Sequence, residues 1–244
     1  MRVAASRWPP AEVVHQIHDR YLVEIVEALN LCPFARRSRE QGRVERPLLW
    51  IDERGPSAKD VANTVAETCA RNPEVEIILL TFLGWEQHAW ARPAAFEDLV
   101  RELRELYERE HANQGETRFY MVPFHPRLTT PADRQLTPES LVALIRRSPD
   151  PVIQCVRARV LDDVRRQAQR ASEARFREEI AKLAPELATL LERSVQTDPE
   201  LSSDIARHNF TAIGEGDGRT RFEERLASIL RDRDAAYARA VDDG

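Results

Sequence analysis

Two short motifs place a chemically capable side chain directly before a proline. Cys32 precedes Pro33 at the end of a helical pattern, and His125 precedes Pro126 after a strand-like run. Proline disfavours helical backbone at the preceding residue, so each side chain is predicted to end an element and face a loop. Catalytic side chains often lie at such ends. We therefore predict that Cys32 and His125 form a catalytic pair across one cavity.

Three roles are open for Cys32. A thiolate beside Arg36 or Arg37 would be a nucleophile or a redox centre, because adjacent cations lower the pKa of a thiol. A thiolate followed by proline is also a recurrent axial ligand of haem iron. The third role is structural, a small buried residue that packs the end of a helix. Cys69 and Cys155 fall on apolar stripes and are interpreted as core residues.

His125 also has several interpretations. Its imidazole can ligate a metal or haem iron, or act as a general base near neutral pH. The structural alternative is a ring that bonds a backbone carbonyl and holds the loop in place. The histidines of the first helix, His15 and His18, show no spacing that indicates a partner.

A third proline-flanked segment, residues 147–151, supplies candidate binding groups. Arg147 and Arg157 are predicted to hold a carboxylate or a phosphate, because a guanidinium matches these anions with two hydrogen bonds. Ser148 is the third candidate for substrate binding. Either arginine can instead form a structural ion pair, which is the more common role of a single arginine.

Composition argues against several classes of function. The 244 residues carry a net charge of −5, so the whole molecule offers no basic field for nucleic acid. The longest apolar run, residues 77–83, is too short to cross a bilayer, and the first residues lack a secretory signal. Three cysteines without close pairing are typical of a reducing compartment. The sequence therefore predicts a cytoplasmic protein that binds neither nucleic acid nor membranes.

The motifs of nucleotide and hydrolase chemistry are also missing from the sequence. It contains no phosphate-binding glycine loop, no Gly-x-Ser-x-Gly elbow, no Cys-x-x-Cys pair and no His-Glu-x-x-His motif. Only eight glycines are present in the chain. We therefore expect no nucleotide cofactor, and favour haem or a transition metal if a cofactor is bound.

Strand-like and helical patterns alternate through the first two thirds of the chain. This alternation predicts an α/β domain over residues 11–157, with a sheet of about four strands and flanking helices. Parallel and antiparallel pairing are both open, as is an α+β arrangement. The predicted strands cover residues 44–51, 75–83, 118–124 and 152–156.

Residues 158–244 are predicted to form an all-helical extension. One apolar stripe should pack on the α/β domain or on a second copy of the chain, which would give a homodimer through the tail. The residues of this stripe are Phe176, Ile180, Leu183 and Leu187. A last helix is predicted to carry Phe222, Leu226 and Ile229.

The order of the three proline motifs resembles a known family. Residues 31–35 read Leu-Cys-Pro-Phe-Ala, residues 124–126 read Phe-His-Pro, and residues 147–151 read Arg-Ser-Pro-Asp-Pro, followed by Arg157. This is similar to a bacterial domain-of-unknown-function family, number 1415, over residues 12–160. The resemblance implies a shared pocket and no defined reaction.

The last motif departs from the family pattern in three positions. The family typically has tyrosine where this chain has Asp150, histidine where it has Gln154, and glutamate where it has Ala158. A ligand set that uses that second histidine or the glutamate is therefore lost or replaced here. With the helical tail, the departures indicate a specialised member.

The expected function is small-molecule enzymology. The site is predicted to be haem- or metal-dependent and built from Cys32, His125 and the 147–157 segment, with an oxidoreductase-type reaction. One alternative is a metal-free enzyme in which Cys32 attacks and His125 is the base. Another is a non-catalytic binding or assembly protein that acts through its helical tail.

Overall fold

The computed structural model describes residues 8–110, 118–129, 137–163, 166, 170, 209–214 and 216–242. Its centre is a five-stranded mixed sheet with helices on both faces, which confirms the predicted α/β class. The strands are β1 (Val44–Glu45), β2 (Leu48–Trp50), β3 (Ile77–Leu83), β4 (Phe119–Phe124) and β5 (Val152–Arg157).

Strand pairing follows the order β1, β3, β5, β4, and β2 also pairs with β3. β1 and β2 run parallel to β3, whereas β5 runs antiparallel to both β3 and β4. The single strand expected over residues 44–51 is divided at Arg46 and Pro47. Proline has no amide to donate to the ladder, so an interruption at this position is expected.

The first face of the sheet packs against two amphipathic helices, α3 (Ala58–Arg71) and α4 (Pro93–Glu110). Ser57 and Asp60 form a capping box that fixes the start of α3. Alternate residues of the strands face these helices, since successive side chains of a strand point to opposite sides. The buried core of this face includes Val61, Val65, Phe96, Val100, Leu103, Ile78, Leu80, Phe82, Ile153 and Cys155. Cys155 is therefore a core residue, as the sequence predicted.

The N-terminal helix delivers the chain to Cys32. Helix α1 (Ala11–Tyr21) continues directly into a π-helical segment (Leu22–Glu27). A turn follows this segment, in which Asn30 has a left-handed φ of 50° and the Leu31 amide donates to the Val26 carbonyl at 2.9 Å. A short helix, α2 (Ala35–Glu40), follows the Cys-Pro motif. Cys32 thus follows the end of a helix, as predicted.

The second face of the sheet is covered by a different group of elements. These are α1 with its π-helical segment, helix α5 (Pro138–Ile145), a π-helical turn (Phe210–Gly214) and the C-terminal helix (Gly218–Asp242). The C-terminal helix carries Phe222, Leu226 and Ile229, as the sequence predicted for the last helix. These side chains are buried against Ile17, Tyr21 and Ile25. The tail stripe Phe176, Ile180, Leu183 and Leu187 lies outside the described residues. Among the helices that the structure describes, none has the length and apolar character of a membrane span.

Candidate functional site

A cavity of about 350 Å³ lies between the second face of the sheet and the N-terminal helix. Small-molecule sites typically have volumes of roughly 300–1,000 Å³ and mainly apolar walls. The sheet contributes Val44, Ile77, Leu79, Val122, Phe124, Val152, Gln154 and Val156, and the N-terminal helix and its end contribute Tyr21, Leu22, Val26 and Leu31. The strand side chains that point away from helices α3 and α4 therefore form one wall of a cavity that is large enough for a ligand.

Two buried polar atoms at this cavity have no partner among the described residues. They are the hydroxyl of Tyr21 and the Oδ1 of Asn209, on side chains of residues that are 6% and 3% exposed. A buried polar group without a hydrogen bond costs about 1–3 kcal/mol, so most native proteins avoid it. These atoms are therefore candidates to bond a ligand or an ordered water.

Cys32 lines the cavity together with Pro33 and Phe34. Burial raises the pKa of its thiol to about 11, although the amides of Phe34 and Ala35 act in the opposite direction. The thiol is therefore protonated near neutral pH, whereas a nucleophile or metal ligand acts as the thiolate.

The arginines that were expected to activate Cys32 are engaged elsewhere. Arg36 lies 3.5 Å from a carboxylate oxygen of Glu27, and Arg37 donates to Glu76 at 3.0 Å. Each of these cations is balanced by a carboxylate, which reduces its effect on the thiol. Cys32 also borders a second, polar cleft that Arg36, Arg37 and Glu40 line.

His125 does not line the cavity. Its Nε2 donates to the carbonyl of Trp90 at 2.8 Å, and its Nδ1 accepts the amide of Arg127 at 3.0 Å. Its ring packs against Trp85 and Phe96, with centroids 5.3 and 5.9 Å away. Burial lowers the pKa of His125. Both ring nitrogens of a neutral imidazole are thus occupied by backbone groups, which matches the structural alternative.

Cys32 and His125 are therefore not brought together around the cavity. His125 directly follows β4 and continues the alternation of Phe119 and Met121, whose side chains belong to the core on the first face of the sheet. Cys32 instead lies against Ile77 and Val156 on the second face. A mechanism that needs direct contact between this cysteine and this histidine has no geometric support.

The predicted binding residues also separate. Ser148 lines the cavity, and its hydroxyl donates to the backbone carbonyl of Asp150 at 2.6 Å. Arg157 donates to the carbonyl of Pro73 at 2.8 Å and lies over the ring of Phe119. Arg147 does not line the cavity, and its buried Nε has no partner among the described residues. Of these three, only Ser148 borders the cavity.

Asp150 is the centre of a buried polar network. It is fully buried, with 0% exposure. Its carboxylate accepts from Trp85 Nε1 at 3.1 Å, Arg233 Nε at 3.0 Å and Tyr237 OH at 2.8 Å, and contacts His18 Nε2 at 3.0 Å. Burial alone would raise the pKa of Asp150, but the hydrogen bonds from His18 and Arg233 hold that pKa well below its usual range.

Two residues that the sequence did not single out line the cavity near this network. His18 turns its Nε2 to Asp150, and no partner for its Nδ1 occurs among the described residues. Arg146 forms no ion pair with a described carboxylate, and burial with the nearby charge of Arg104 lowers its pKa. The one available signal was helical spacing, which puts His18 on the same face of α1 as Tyr21 and Val14.

The described residues contain no group of three or more His, Cys, Asp or Glu side chains able to hold a metal ion. Among the cavity residues, Cys32 and His18 are of the two types that most often ligate haem iron or a transition metal in other proteins. A metal-dependent site here would therefore rely on one or two protein ligands.

Comparison with known families gives one match. A family model described as "Protein of unknown function (DUF1415)" matches residues 13–188. The matched range continues past residue 160, where the sequence resemblance was expected to end, and so includes part of the segment after β5. No curated protein and no solved structure matches the chain.

Proposed function

Because the chain belongs to this family of proteins of unknown function, we propose a function from the cavity itself: the protein binds a small, mainly apolar molecule that carries a hydrogen-bonding group. The observation that supports this proposal is a pair of buried polar atoms in a mainly apolar cavity, Tyr21 OH and Asn209 Oδ1, for which the described residues offer no hydrogen-bond partner. A ligand with one polar group would satisfy such atoms and bury its apolar part against the sheet.

The balance of forces favours an organic ligand over water alone. The walls contributed by Leu79, Val122 and Val156 cannot hydrogen-bond water, and apolar cavities of this kind tend to remain dry. Each square ångström of apolar surface buried by a ligand contributes roughly 25 cal/mol. Affinity would therefore come from the apolar wall, and orientation from the few polar groups.

A catalytic role for this site would depend on His18 more than on His125. Asp150 accepts the Nε2 proton of His18, which leaves Nδ1 as the proton acceptor of a neutral imidazole. An aspartate that orients a histidine in this way is a recurrent part of general acid–base sites. We therefore propose His18, which lines the cavity, as the residue to test for proton transfer to or from the ligand.

Haem or metal binding is the second candidate. Its support is the position of Cys32, which borders an apolar cavity immediately before a proline. Haem is itself a mainly apolar molecule, so the cavity chemistry is compatible with it. The absorption spectrum and metal content of the freshly purified full-length chain test this candidate. A Soret band that disappears in Cys32→Ala supports thiolate-ligated haem, and a colourless, metal-free protein contradicts the second candidate.

The small-molecule proposal is tested by filling the cavity. We expect the fluorescent probe 1-anilinonaphthalene-8-sulfonate to bind the full-length protein at one site, and to bind weakly to Leu79→Trp. Overpacking costs about 1–3 kcal/mol, so a milder variant, Val156→Phe, is measured in parallel and both are checked by circular dichroism. Val23→Trp, on an exposed face of the N-terminal helix, is the control. Equal probe binding by the folded cavity variants and the control contradicts the proposal.

A further inference from the structure

We infer that the ligand of this cavity is a monocarboxylate with a hydrocarbon chain of medium length, bound with its carboxylate near Arg146 and its chain directed towards Cys32. This inference rests on the proposed function and names the substrate class of the same site. It is based on the two unlike ends of the cavity and on the one lining cation that has no described carboxylate partner.

The cavity extends along strand β5. At one end Val152 pairs with Phe124, and both line the cavity beside Arg146 and Ser148. At the other end Val156 packs with Phe34, and Cys32 lies against the same cluster. Val156 lies four residues after Val152 along the strand, which corresponds to roughly 13 Å. An extended chain of the length of decanoate covers this distance.

The charges at the cavity are not balanced at the Arg146 end. Glu27 also lines the cavity, but Arg39 donates to its two carboxylate oxygens at 2.6 and 2.9 Å and Arg36 lies 3.5 Å away. Arg146 has no comparable partner among the described residues. Arg146 is half-buried, and the nearby charge of Glu97 favours its cationic form, but burial and the charge of Arg104 lower its pKa more. An anion bound at Arg146 would offset this remaining cost of desolvation. A carboxylate forms two parallel hydrogen bonds with a guanidinium.

Other residues favour a single negative charge. The Tyr21 hydroxyl is a donor for which the described residues supply no acceptor. Tyr21 lies one helical turn after His18, which contacts Asp150 near the Arg146 end. One cation and one hydroxyl suit a carboxylate better than a doubly charged phosphate. The opposite end consists of a protonated thiol and the apolar side chains of Phe34 and Val156. A second charged group on the ligand would have no partner there.

The ligand class is tested with three probes of equal chain length. Isothermal titration of the full-length protein with decanoate, decanol and decylamine should show decanoate binding about tenfold more tightly than decanol, since a hydrogen bond to a charged group is worth about that factor. Decylamine should bind most weakly. Arg146→Met should remove the advantage of decanoate over decanol, whereas Arg101→Met, an exposed arginine on α4, should not change it.

A second variant tests the inference if Arg146→Met does not fold. Tyr21→Phe removes a buried hydroxyl that bonds nothing in the described part of the chain, so the unliganded protein should be as stable as the wild type or more stable. The same variant should bind decanoate several-fold more weakly and decanol unchanged. A merely structural tyrosine would give the opposite pattern, lower stability and unchanged discrimination between the two probes.

Orientation is tested at Cys32. Decanoate should slow alkylation of Cys32 by N-ethylmaleimide at alkaline pH, as followed by peptide mapping, whereas butyrate at the same occupancy should not, because its chain is too short to reach the thiol. Protection by both or by neither overturns the proposed orientation. Equal affinity for decanoate and decanol overturns the carboxylate but leaves the cavity proposal intact. Failure of every probe to bind, together with unchanged dye binding in the cavity-filling variants, overturns the proposed function itself.

Discussion

Replacement of Asp150 by asparagine should destabilise the protein strongly, although the two side chains have nearly the same shape. Asparagine retains one oxygen for Trp85 and Arg233, and its amide can donate to the hydroxyl oxygen of Tyr237. The main loss is the negative charge that faces Arg233 at 2.5 Å. Removing one partner of a buried ion pair costs about 3–5 kcal/mol.

The expected value lies at the lower end of that range. Arg233 also contacts Glu86 at 2.6 Å and Asp234 at 2.8 Å, so its charge is not left without a partner in the variant. Both of these carboxylates are exposed, at 42% and 71%, and they compensate incompletely because solvent screens them. We therefore expect Asp150→Asn to lower the free energy of unfolding by about 3 kcal/mol.

Urea unfolding at neutral pH measures this quantity. Asp98→Asn is the matched control, since Asp98 is an exposed aspartate paired with Arg101 on α4, and its loss should cost less than about 1 kcal/mol. The double variant Asp150→Asn with Arg233→Met should be more stable than the sum of the two single losses predicts, because it removes both charges. A loss below about 1 kcal/mol for Asp150→Asn, or simple additivity, would refute the interpretation of the buried pair.

The same network predicts how the difference depends on pH. The folded protein holds the pKa of Asp150 below its unfolded value of about 3.9. This carboxylate therefore contributes stability that is fully present above about pH 4 and is lost as the pH falls through the folded pKa. The difference in stability between the wild type and Asp150→Asn should shrink in that acidic range. If the difference in unfolding free energy stays constant down to the lowest pH at which the protein is folded, the loss is due to packing and not to the charge of Asp150.

Three further outcomes follow from single side chains. The alkylation rate of native Cys32 should rise with pH up to about 11, the value to which burial raises its pKa; a plateau near neutral pH would indicate an activated thiolate. His125→Ala should lower the free energy of unfolding in urea by about 2–3 kcal/mol, and calorimetric titration should show unchanged ligand affinity. Weaker ligand binding at unchanged stability would instead indicate that His125 is part of the binding site. Gly84→Ala should lower the melting temperature more than Gly42→Ala; both glycines have positive φ, but only at Gly84 would a Cβ meet Trp8 and the Ile51 carbonyl. Equal decreases in melting temperature for the two variants would show that a steric clash at Gly84 is not the cause.

The parts of the fold that depend on local patterns were predictable. Helix α4 and strand β3 have strong apolar periodicity, and both occur where the sequence predicts them. Strand direction was not predictable, because β5 pairs with β3 although residues 84–151 lie between the two strands. The π-helical segment (Leu22–Glu27) was also missed, since its apolar residues keep nearly the same spacing as in an ordinary helix.

The candidate site was predictable only in part. Cys32 and Ser148 were identified from their proline-flanked motifs, and both border the cavity. His125 was expected beside them, but strand alternation already contained the contrary signal. It lies six residues after Phe119 and four after Met121, so the period of two assigns all three to the same face of β4. Proline contexts indicate where elements end, whereas the register of the strand decides which face a side chain meets.

His18 and Arg146 could not be identified from the sequence by the same reasoning. His18 becomes informative only through Asp150, which is 132 residues away in the chain. Arg146 becomes informative because no described carboxylate reaches it, and a missing partner is visible only in three dimensions. The position of both residues in the site is determined by how the helices pack over the second face of the sheet.

Asp150 links the stability of the fold to the shape of the cavity. Ser148 and His18 border the cavity and both contact Asp150, one at its carbonyl and the other at its carboxylate. Arg233 and Tyr237 attach the C-terminal helix to the same carboxylate. A neutral side chain at this position, such as tyrosine, would offer no anion to Arg233 or His18, so these contacts depend on the aspartate. Changes in the C-terminal helix that weaken the Asp150 network should therefore alter ligand affinity without touching the cavity wall, by loosening the position of His18.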